Sequence, residues 1–235
     1  MKKYCIAFLL LAVYSCALND TNHPKVKSIS AMKNVMWKGE LEAKIKFDTM
    51  LPQKGFYGLG PVEKLAGEIT IIDGVAYVSS VDESQHINVD INANIGAPFF
   101  VYAISKDFEH VELPKDVVNL KTLDAYLQDS HDSNTDFLFK LEGEIEFSKI
   151  HIQNLEPIAK VSSPKEAHAG QVNIELKAIN AQLIGFYSNS AHGIFTHHDT
   201  NIHTHLITKD RKYMGHCDEL RFNPSLVKLY IAKNR

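Results

Sequence analysis

Long stretches of alternating apolar and polar residues constrain this chain more than any other feature of its sequence. Residues 137–152, FLFKLEGEIEFSKIHI, and residues 170–188, GQVNIELKAINAQLIGFYS, both follow this pattern. Because neighbouring side chains of a strand point to opposite faces, such alternation predicts β-strands with one buried face. In residues 67–81, two β-branched runs flank Asp73-Gly74, a pair that favours the tight turn of a β-hairpin. Strands therefore dominate both halves of the chain.

Residues 119–130 predict an amphipathic helix. Leu120, Leu123 and Leu127 recur at helical spacing, and Asn119 is suited to cap the first turn. A helix beside many strands indicates an α+β fold. We expect two β-rich domains built from mixed or antiparallel sheets.

A polar, proline-containing stretch, residues 154–170, separates the two strand-rich halves. We therefore expect an N-terminal α+β domain over residues 31–155 and a C-terminal β domain over residues 156–235. A chain of 235 residues with 45% apolar content can bury a sizeable core. Its formal net charge of −3 and the lack of a long basic run argue against nucleic acid as a partner.

The N-terminal residues have the features of an export signal. Two lysines precede an apolar run that is too short for a stable membrane-spanning helix. Residues 13–16, Val-Tyr-Ser-Cys, resemble a bacterial lipobox, whose cysteine becomes the lipidated N-terminus. We expect residues 1–15 to be a signal peptide, Cys16 to carry the lipid and residues 16–30 to form a tether. The protein would then be exported to the periplasmic face of the cell envelope and contact the membrane only through this anchor.

Five of the chain's twelve histidines fall in one C-terminal stretch that indicates a strand, a turn and a second strand. His203 and His205 are two residues apart, so on a strand both project from the same face. If the turn is symmetric about Asp210 and Arg211, His216 lies directly opposite His205, with β-carbons about 5 Å apart. The sequence thus predicts that three imidazoles converge on one β-hairpin of the C-terminal domain.

Three neutral imidazoles are typical of a zinc site that leaves one coordination position open. The same register places Asp218 opposite His203, where it would orient a ligand imidazole or be an ordinary strand carboxylate. Cys217 would point to the opposite face, which argues against a fourth ligand. His197 and His198 precede the ligand strand in a turn-like stretch. We expect both to be loop residues; the alternative is that they overhang the metal. Chance clustering of exposed histidines is the other interpretation.

Three stretches of the chain carry a family resemblance when they are taken together. They are residues 55–80, with the elements Gly-Leu-Gly-Pro and Gly-Glu-Ile, residues 183–188, LIGFYS, and residues 203–220, HTHLITKDRKYMGHCDEL. This combination resembles the α-acetolactate decarboxylase family, zinc enzymes that convert 2-acetolactate to acetoin and carbon dioxide. In that family the ligands form His-x-His, with a third histidine eleven residues beyond the second, and the histidines described above reproduce this spacing. The resemblance implies Zn²⁺ as the cofactor and a small 2-hydroxy-3-oxo acid as the substrate, and it is compatible with a homodimer.

The resemblance also implies an active-site glutamate and reveals two departures from the family. The family's catalytic glutamate lies in a short Gly-Glu element, which falls on Glu68. Its active-site arginine would fall in residues 147–157, FSKIHIQNLEP, which contain no arginine, so His151 or Lys149 would take its place. The family's glutamate near the C-terminus has no counterpart, because no carboxylate side chain follows Glu219.

Decarboxylation explains why these groups matter. A 2-hydroxy-3-oxo acid loses carbon dioxide only if the released electron pair is delocalised into the adjacent ketone, which gives an enediolate. Zinc would stabilise this charge as a Lewis acid, and a nearby acid would protonate one face. We expect His203, His205 and His216 to hold zinc and Glu68 to assist proton transfer. His151 would be a weaker substitute for the arginine, because imidazole cannot make a bidentate contact with a carboxylate.

Two other classes of function stay open. A cupin-like metal oxygenase or isomerase also uses His-x-His with an acid and a later histidine, but Asp210, the acid it would need, falls in the predicted turn. A non-catalytic surface lipoprotein could keep the fold and its metal and bind a ligand or a partner. The missing arginine and terminal glutamate fit that alternative.

Overall fold

The computed structural model describes residues 23–47, 53–130 and 135–234. The predicted leader, Cys16 and the first part of the predicted tether lie outside the described residues. The helices are α1 (Met32–Lys38), α2 (Leu120–Ser130) and α3 (Pro164–Ala167), with a 3-10 turn at Glu63–Leu65. The strands are β1 (Lys27–Ile29), β2 (Ile45–Lys46), β3 (Phe56–Pro61), β4 (Glu68–Ile72), β5 (Val75–Val81), β6 (Ile87–Ile91), β7 (Gly96–Ala97), β8 (Phe100–Ile104), β9 (Asp107–Val111), β10 (Phe137–Ile152), β11 (Val172–Tyr187), β12 (Ile202–Thr208) and β13 (Met214–Lys233).

Six strands form an antiparallel sheet in the order β1-β8-β3-β4-β5-β6. The predicted hairpin between β4 and β5 is confirmed, since Ile72 pairs with Val75 around a two-residue turn. Asp73 and Gly74 have φ of 49° and 85°, and positive φ at both central positions is what a type I′ turn requires. The Asp73 carboxylate also accepts a hydrogen bond of 2.6 Å from the backbone N–H of Gly55. This hairpin fixes the register of β4, the strand that starts at the candidate catalytic glutamate.

Five strands form a second antiparallel sheet in the order β10-β11-β12-β13-β9, and β10 also pairs with β13, so the sheet closes on itself. The two long alternating stretches of the sequence are β10 and β11, which pair from Phe137–Tyr187 to Ile152–Val172. The fold is thus mostly β, with antiparallel rather than mixed sheets among the described residues. The sheets do not divide the chain at residue 155. Strands β9 and β10 precede that position, and β10 pairs across it with β11.

Helix α2 follows its sequence prediction closely. The side chain of Asn119 accepts a hydrogen bond of 2.9 Å from the backbone N–H of Thr122, which caps the first turn. Leu123 and Leu127 are fully buried and pack into the core of the five-stranded sheet. The predicted helix and its cap are therefore confirmed.

The chain joins the fold earlier than its sequence suggests. Strand β1 pairs with β8, with Ser28 opposite Val101. Further towards the N-terminus, Nδ1 of His23 lies 2.9 Å from the carbonyl oxygen of Ala232. Folded structure therefore begins before Ala31, the residue where we expected it, because β1 uses a sheet edge that local composition does not reveal.

One apolar cluster joins the two sheets. It contains Leu59 and Val101 from the six-stranded sheet together with Ile184, Phe186 and Ile207 from the five-stranded sheet. All five side chains are buried, so the sheets share a core. No helix among the described residues is both long and apolar enough to cross a membrane.

Candidate metal centre

The register of the β12–β13 hairpin brings three histidines together. His205 pairs with His216, as the sequence predicts. The turn is closed by a hydrogen bond of 2.9 Å from the N–H of Thr208 to the carbonyl of Tyr213, which fixes this register. The candidate ligand nitrogens of His203, His205 and His216 all lie within 4.8 Å of one another. The predicted convergence of three imidazoles is confirmed.

Burial keeps the three imidazoles neutral. His203 and His205 are almost fully buried, and His216 is half-buried in the same cluster. Loss of hydration lowers the pKa of His203 to about 3. It also holds the pKa of His205 and that of His216 well below the ordinary range. Neutral imidazole is the form that binds a metal ion, so these rings are ready to act as ligands.

A hydroxyl group on β4 determines which nitrogen of His205 is free. Thr70 Oγ1 lies 3.0 Å from Nδ1 of His205 and donates its own hydrogen to Sδ of Met214 at 3.1 Å. Its oxygen therefore accepts the ring hydrogen from Nδ1, which leaves a lone pair on Nε2. Nε2 of His205 and Nδ1 of His203 are buried without a hydrogen-bond partner among the described residues. Two such orphaned nitrogens and a third imidazole fit a divalent ion such as zinc. Sequence reasoning missed Thr70.

Glu68 faces the histidines from the start of β4. Its Oε2 lies 3.6 Å from Nε2 of His205, too far for a hydrogen bond, and Oε1 accepts one of 3.4 Å from the backbone N–H of Gln153. Burial raises the pKa of Glu68 to about 7, and the nearby His151 opposes part of this rise. The carboxyl group therefore exists in both protonation states near neutral pH, as a proton-transfer residue requires.

His151 lies beside the three histidines and is held by Asp218. It pairs directly with His216, with ring centroids 4.8 Å apart. Its Nδ1 lies 2.9 Å from both carboxylate oxygens of Asp218. Burial alone would lower the pKa of His151, but the hydrogen bond to Asp218 and the charge of Glu68 outweigh it, so the pKa is raised. The sequence places Asp218 opposite His203; in the structure Asp218 contacts His151, because β13 pairs with β10 beyond His216.

His203 and His216 open into a cavity of about 30 Å³, enough for one or two water molecules. Apolar side chains of α1, of the 3-10 turn and of the residue before β8 cover it, namely Met32, Met36, Leu65 and Phe99. Among the described residues that line it, none is a lysine or an arginine. An anionic ligand would therefore have to be bound by imidazoles or by a metal ion. A five-carbon acid needs more room than this. A larger cavity of about 420 Å³ borders the site on another side and is lined in part by His197, His216 and Asp218.

Two further histidines, His197 and His168, line the same cavity. His197 packs edge-on against His216, with ring centroids 5.3 Å apart. His168 packs edge-on against His151 at 5.9 Å. His197 lies in a loop, as expected, and its ring also lines the cavity, as the alternative interpretation has it, whereas His198 is exposed. His168 lies in the polar stretch between β10 and β11, where no sequence pattern could have identified it.

The position of His197 depends on a hydrogen-bonded clamp. Asp124 on α2 accepts a hydrogen bond of 3.0 Å from the hydroxyl of Thr200. It also accepts hydrogen bonds of 3.0 Å from both the backbone and the side-chain amide of Asn201. These contacts fasten the segment that carries His197 to a helix packed in the core.

Three other residues named from the sequence lie away from the cavity. Cys217 is buried in the core on the opposite face, as predicted, and burial raises the pKa of its thiol to about 12. Asp210 is exposed in the hairpin turn, which leaves a cupin-like site without its acid. Lys149 pairs with Glu219 and does not line the cavity, whereas His151 does. Of the two residues considered for the position of the arginine, only His151 lines the cavity.

Comparison with known proteins gives a consistent result. The family model described as alpha-acetolactate decarboxylase matches residues 28–234. The fold is similar to the crystal structure of α-acetolactate decarboxylase from Bacillus subtilis strain 168, with a TM-score of 0.71 and 16% sequence identity over 89% of this chain and 86% of that chain. A Staphylococcus aureus protein of unknown function, described as similar to α-acetolactate decarboxylase, gives a TM-score of 0.71 and 15% identity over the same shares. A search of curated proteins finds no match. The family model spans nearly all of the described residues, and the chain therefore belongs to the α-acetolactate decarboxylase family.

Proposed function

We propose that this protein is a zinc-dependent decarboxylase that converts 2-acetolactate to acetoin and carbon dioxide. The observation that carries the proposal is the convergence of three neutral imidazoles, those of His203, His205 and His216, beside the buried carboxyl group of Glu68. Family membership supports decarboxylation in general, and the chemistry of these side chains is the basis for the metal, the substrate and the individual roles.

His203, His205 and His216 would hold the metal ion. Neutral imidazole nitrogens suit zinc, and three protein ligands leave a coordination position for the substrate. Bound there, zinc would supply Lewis-acid stabilisation of the negative charge that develops on the substrate oxygens as carbon dioxide leaves. Thr70 keeps Nε2 of His205 available, because it holds the ring hydrogen on Nδ1.

His151 would bind the carboxylate of the substrate in place of the family's arginine. Asp218 accepts a hydrogen bond from Nδ1 and favours the protonated ring. Nε2, which lies 3.5 Å from the amide nitrogen of Gln153, would then exchange this contact for a hydrogen bond donated to the ligand. A protonated imidazole offers one N–H in this direction and cannot form the two parallel bonds of a guanidinium group. We therefore expect weaker binding of the carboxylate than an arginine would provide.

Glu68 would move the proton. After carbon dioxide leaves, the carbon atom that held it must be protonated, and the protonated carboxyl group of Glu68 would donate from Oε2. A pKa raised to about 7 by burial keeps part of the Glu68 population protonated at neutral pH. Met32, Met36 and Phe99 exclude bulk water from this step. Protonation would then occur on one face and give one enantiomer of acetoin.

The proposal is tested on the purified chain without its predicted leader, loaded with zinc and incubated with racemic 2-acetolactate. We expect acetoin to form faster than by spontaneous decarboxylation, and one enantiomer of the product to predominate. His203→Ala should abolish the excess rate together with zinc binding. A wild-type rate equal to the spontaneous rate, with zinc shown to be bound, would contradict the proposal.

A non-catalytic, metal-containing surface protein on the same fold is the second candidate. The observation in its favour is that the described residues lining the cavity include no arginine or lysine. A protein of this kind would bind zinc and a 2-hydroxy acid, yet it would release no carbon dioxide from 2-acetolactate. Calorimetric binding measured beside the acetoin assay separates the two candidates.

Export is part of the proposal and is supported by the sequence of residues 1–16. We infer that residues 1–15 are removed and that Cys16 carries a lipid at the periplasmic face of the cell envelope. Mass spectrometry of the N-terminal peptide from isolated membranes tests this. A retained leader or an unmodified Cys16 would contradict it.

A further inference from the structure

The position of His168 has a chemical consequence for the cavity. His168 follows helix α3, and its Nδ1 lies 2.7 Å from the carbonyl oxygen of Pro164 in the same turn. A carbonyl oxygen only accepts, so Nδ1 must carry the ring hydrogen. In the neutral ring, Nε2 is then a hydrogen-bond acceptor. Burial lowers the pKa of His168, which favours this neutral form.

The hydrogen-bond acceptors of the cavity are few. Three imidazoles are committed to the metal in the proposed function, and Nδ1 of His151 is committed to Asp218. The side-chain acceptors left among the described lining residues are the carboxyl group of Glu68, the side-chain oxygen of Gln153, a ring nitrogen of His197 and Nε2 of His168. His197 packs against His216 rather than against His151. Glu68 lies against His205 and accepts from the backbone of Gln153.

The positions of the carboxylate and hydroxyl groups on the substrate indicate which of these acceptors the hydroxyl group would meet. The anion of a 2-hydroxy-3-oxo acid has one hydrogen-bond donor, its hydroxyl group, and that group shares a carbon atom with the carboxylate. Whatever binds the carboxylate therefore has the hydroxyl group next to it. His168 packs against His151, the residue assigned to the carboxylate, with ring centroids 5.9 Å apart.

We propose that His168 accepts a hydrogen bond from the hydroxyl group of the bound 2-hydroxy acid and makes the cavity selective for hydroxyl-bearing substrates. This inference rests on the proposed function, because it takes the ligand class and the role of His151 from it. The family resemblance assigns no role to His168, and the inference adds this residue to the site.

Two substitutions separate recognition from a structural role. His168→Asn keeps a side-chain N–H that can reach the carbonyl of Pro164 and removes the acceptor at the position of Nε2. His168→Gln keeps an acceptor, because its amide oxygen can replace Nε2, and gives up the hydrogen bond to the carbonyl of Pro164. His86→Asn, in an exposed loop, is the control.

The measurement is calorimetric binding of two stable carboxylates to the zinc-loaded protein, 2-hydroxy-2-methylpropanoate and 2,2-dimethylpropanoate, which differ by hydroxyl against methyl. We expect the wild type to prefer the hydroxy acid. His168→Asn should reduce this preference about tenfold, the worth of one strong hydrogen bond, and His168→Gln should largely retain it. An unchanged preference in His168→Asn overturns the inference. A loss of preference in His168→Gln alone also overturns the inference. In that case the contact with Pro164, a structural helix cap, would be what matters rather than the acceptor at Nε2.

The acetoin assay distinguishes failure of this inference from failure of the proposed function. Selectivity that depends on His168 in a protein that makes no acetoin would support the inference and refute the decarboxylase. Normal acetoin formation with unchanged selectivity in His168→Asn would do the opposite.

Discussion

His151 and Asp218 lie on adjacent strands and meet through two contacts of 2.9 Å between Nδ1 and the carboxylate oxygens. The ring of His151 is buried beside His216, where an arginine is expected from the family resemblance. An arginine carries its charge at any physiological pH, whereas a buried imidazole needs a partner to do so. In the proposed function, binding of a carboxylate in this cavity would therefore depend on two residues.

Substitution of Asp218 tests this dependence. Asp218→Asn keeps the shape of the side chain but removes the charge that favours protonated His151. We expect the KM for 2-acetolactate to rise about tenfold or more, the equivalent of one charge-assisted hydrogen bond, while the zinc content stays the same. Steady-state kinetics measure the effect, with Asp210→Asn in the exposed turn as the control. An unchanged KM would show that Asp218 does not act through His151.

Glu68 should make the stability of the metal-free protein depend on pH. Its pKa of about 7 in the folded state exceeds the ordinary value of 4.5 because the group is buried. Between these pH values the folded protein binds more protons than the unfolded chain, so this contribution to stability falls as the pH rises. Glu68→Gln should therefore raise the free energy of unfolding by up to about 3 kcal/mol near pH 8, relative to its effect near pH 4.

Chemical denaturation of the wild type and of Glu68→Gln, both stripped of zinc, checks this prediction at the two pH values. The comparison cancels the protonation of His203, His205 and His216, for which Glu68 is not among the causes of the lowered pKa. His151 does not cancel, because the charge of Glu68 raises its pKa, so the measured difference belongs to Glu68 and His151 together. An effect of the substitution that is equal at both pH values would mean that Glu68 is ionised alike in the folded and unfolded states.

Thr70 should contribute to metal affinity without contacting the metal. Thr70→Val keeps the volume of the side chain and removes the oxygen that accepts the hydrogen of His205 Nδ1. Loss of such a supporting hydrogen bond typically weakens metal affinity about 10–100-fold. Competition with a zinc chelator measures the change. Ser148→Ala, which removes a buried hydroxyl group 3.5 Å from Cys217 on the other face, should leave the affinity unaltered. Equal affinities of Thr70→Val and the wild type would contradict this role.

Local patterns in the sequence predict the local parts of this fold. Alternation identifies β10 and β11 to within one or two residues, and Asp73-Gly74 identifies the hairpin because the turn needs two residues with positive φ. The division of the strands between the two sheets and the start of the fold at β1 could not be predicted in the same way. Both depend on which distant strands pair, and an alternating strand carries no information about its partner.

In the candidate site, too, contacts within one hairpin could be predicted and contacts between distant segments could not. The convergence of His205 and His216 follows from spacing and the symmetry of one turn, which are properties of a single hairpin. The contact between Asp218 and His151 could not be predicted from that hairpin, because β13 changes from pairing with β12 to pairing with β10 at this point. His168 reaches the cavity only through the placement of α3, which no spacing in the sequence encodes.

The most direct test of the account is the rate of acetoin formation as a function of bound zinc. The wild type would be prepared at several zinc occupancies, with His216→Ala measured alongside it. We predict that the rate above spontaneous decarboxylation rises in proportion to bound zinc, reaches its maximum near one ion per chain and is absent in His216→Ala. A rate that does not change with zinc, or no excess rate at full occupancy, would contradict the claim that these three histidines form a catalytic zinc centre.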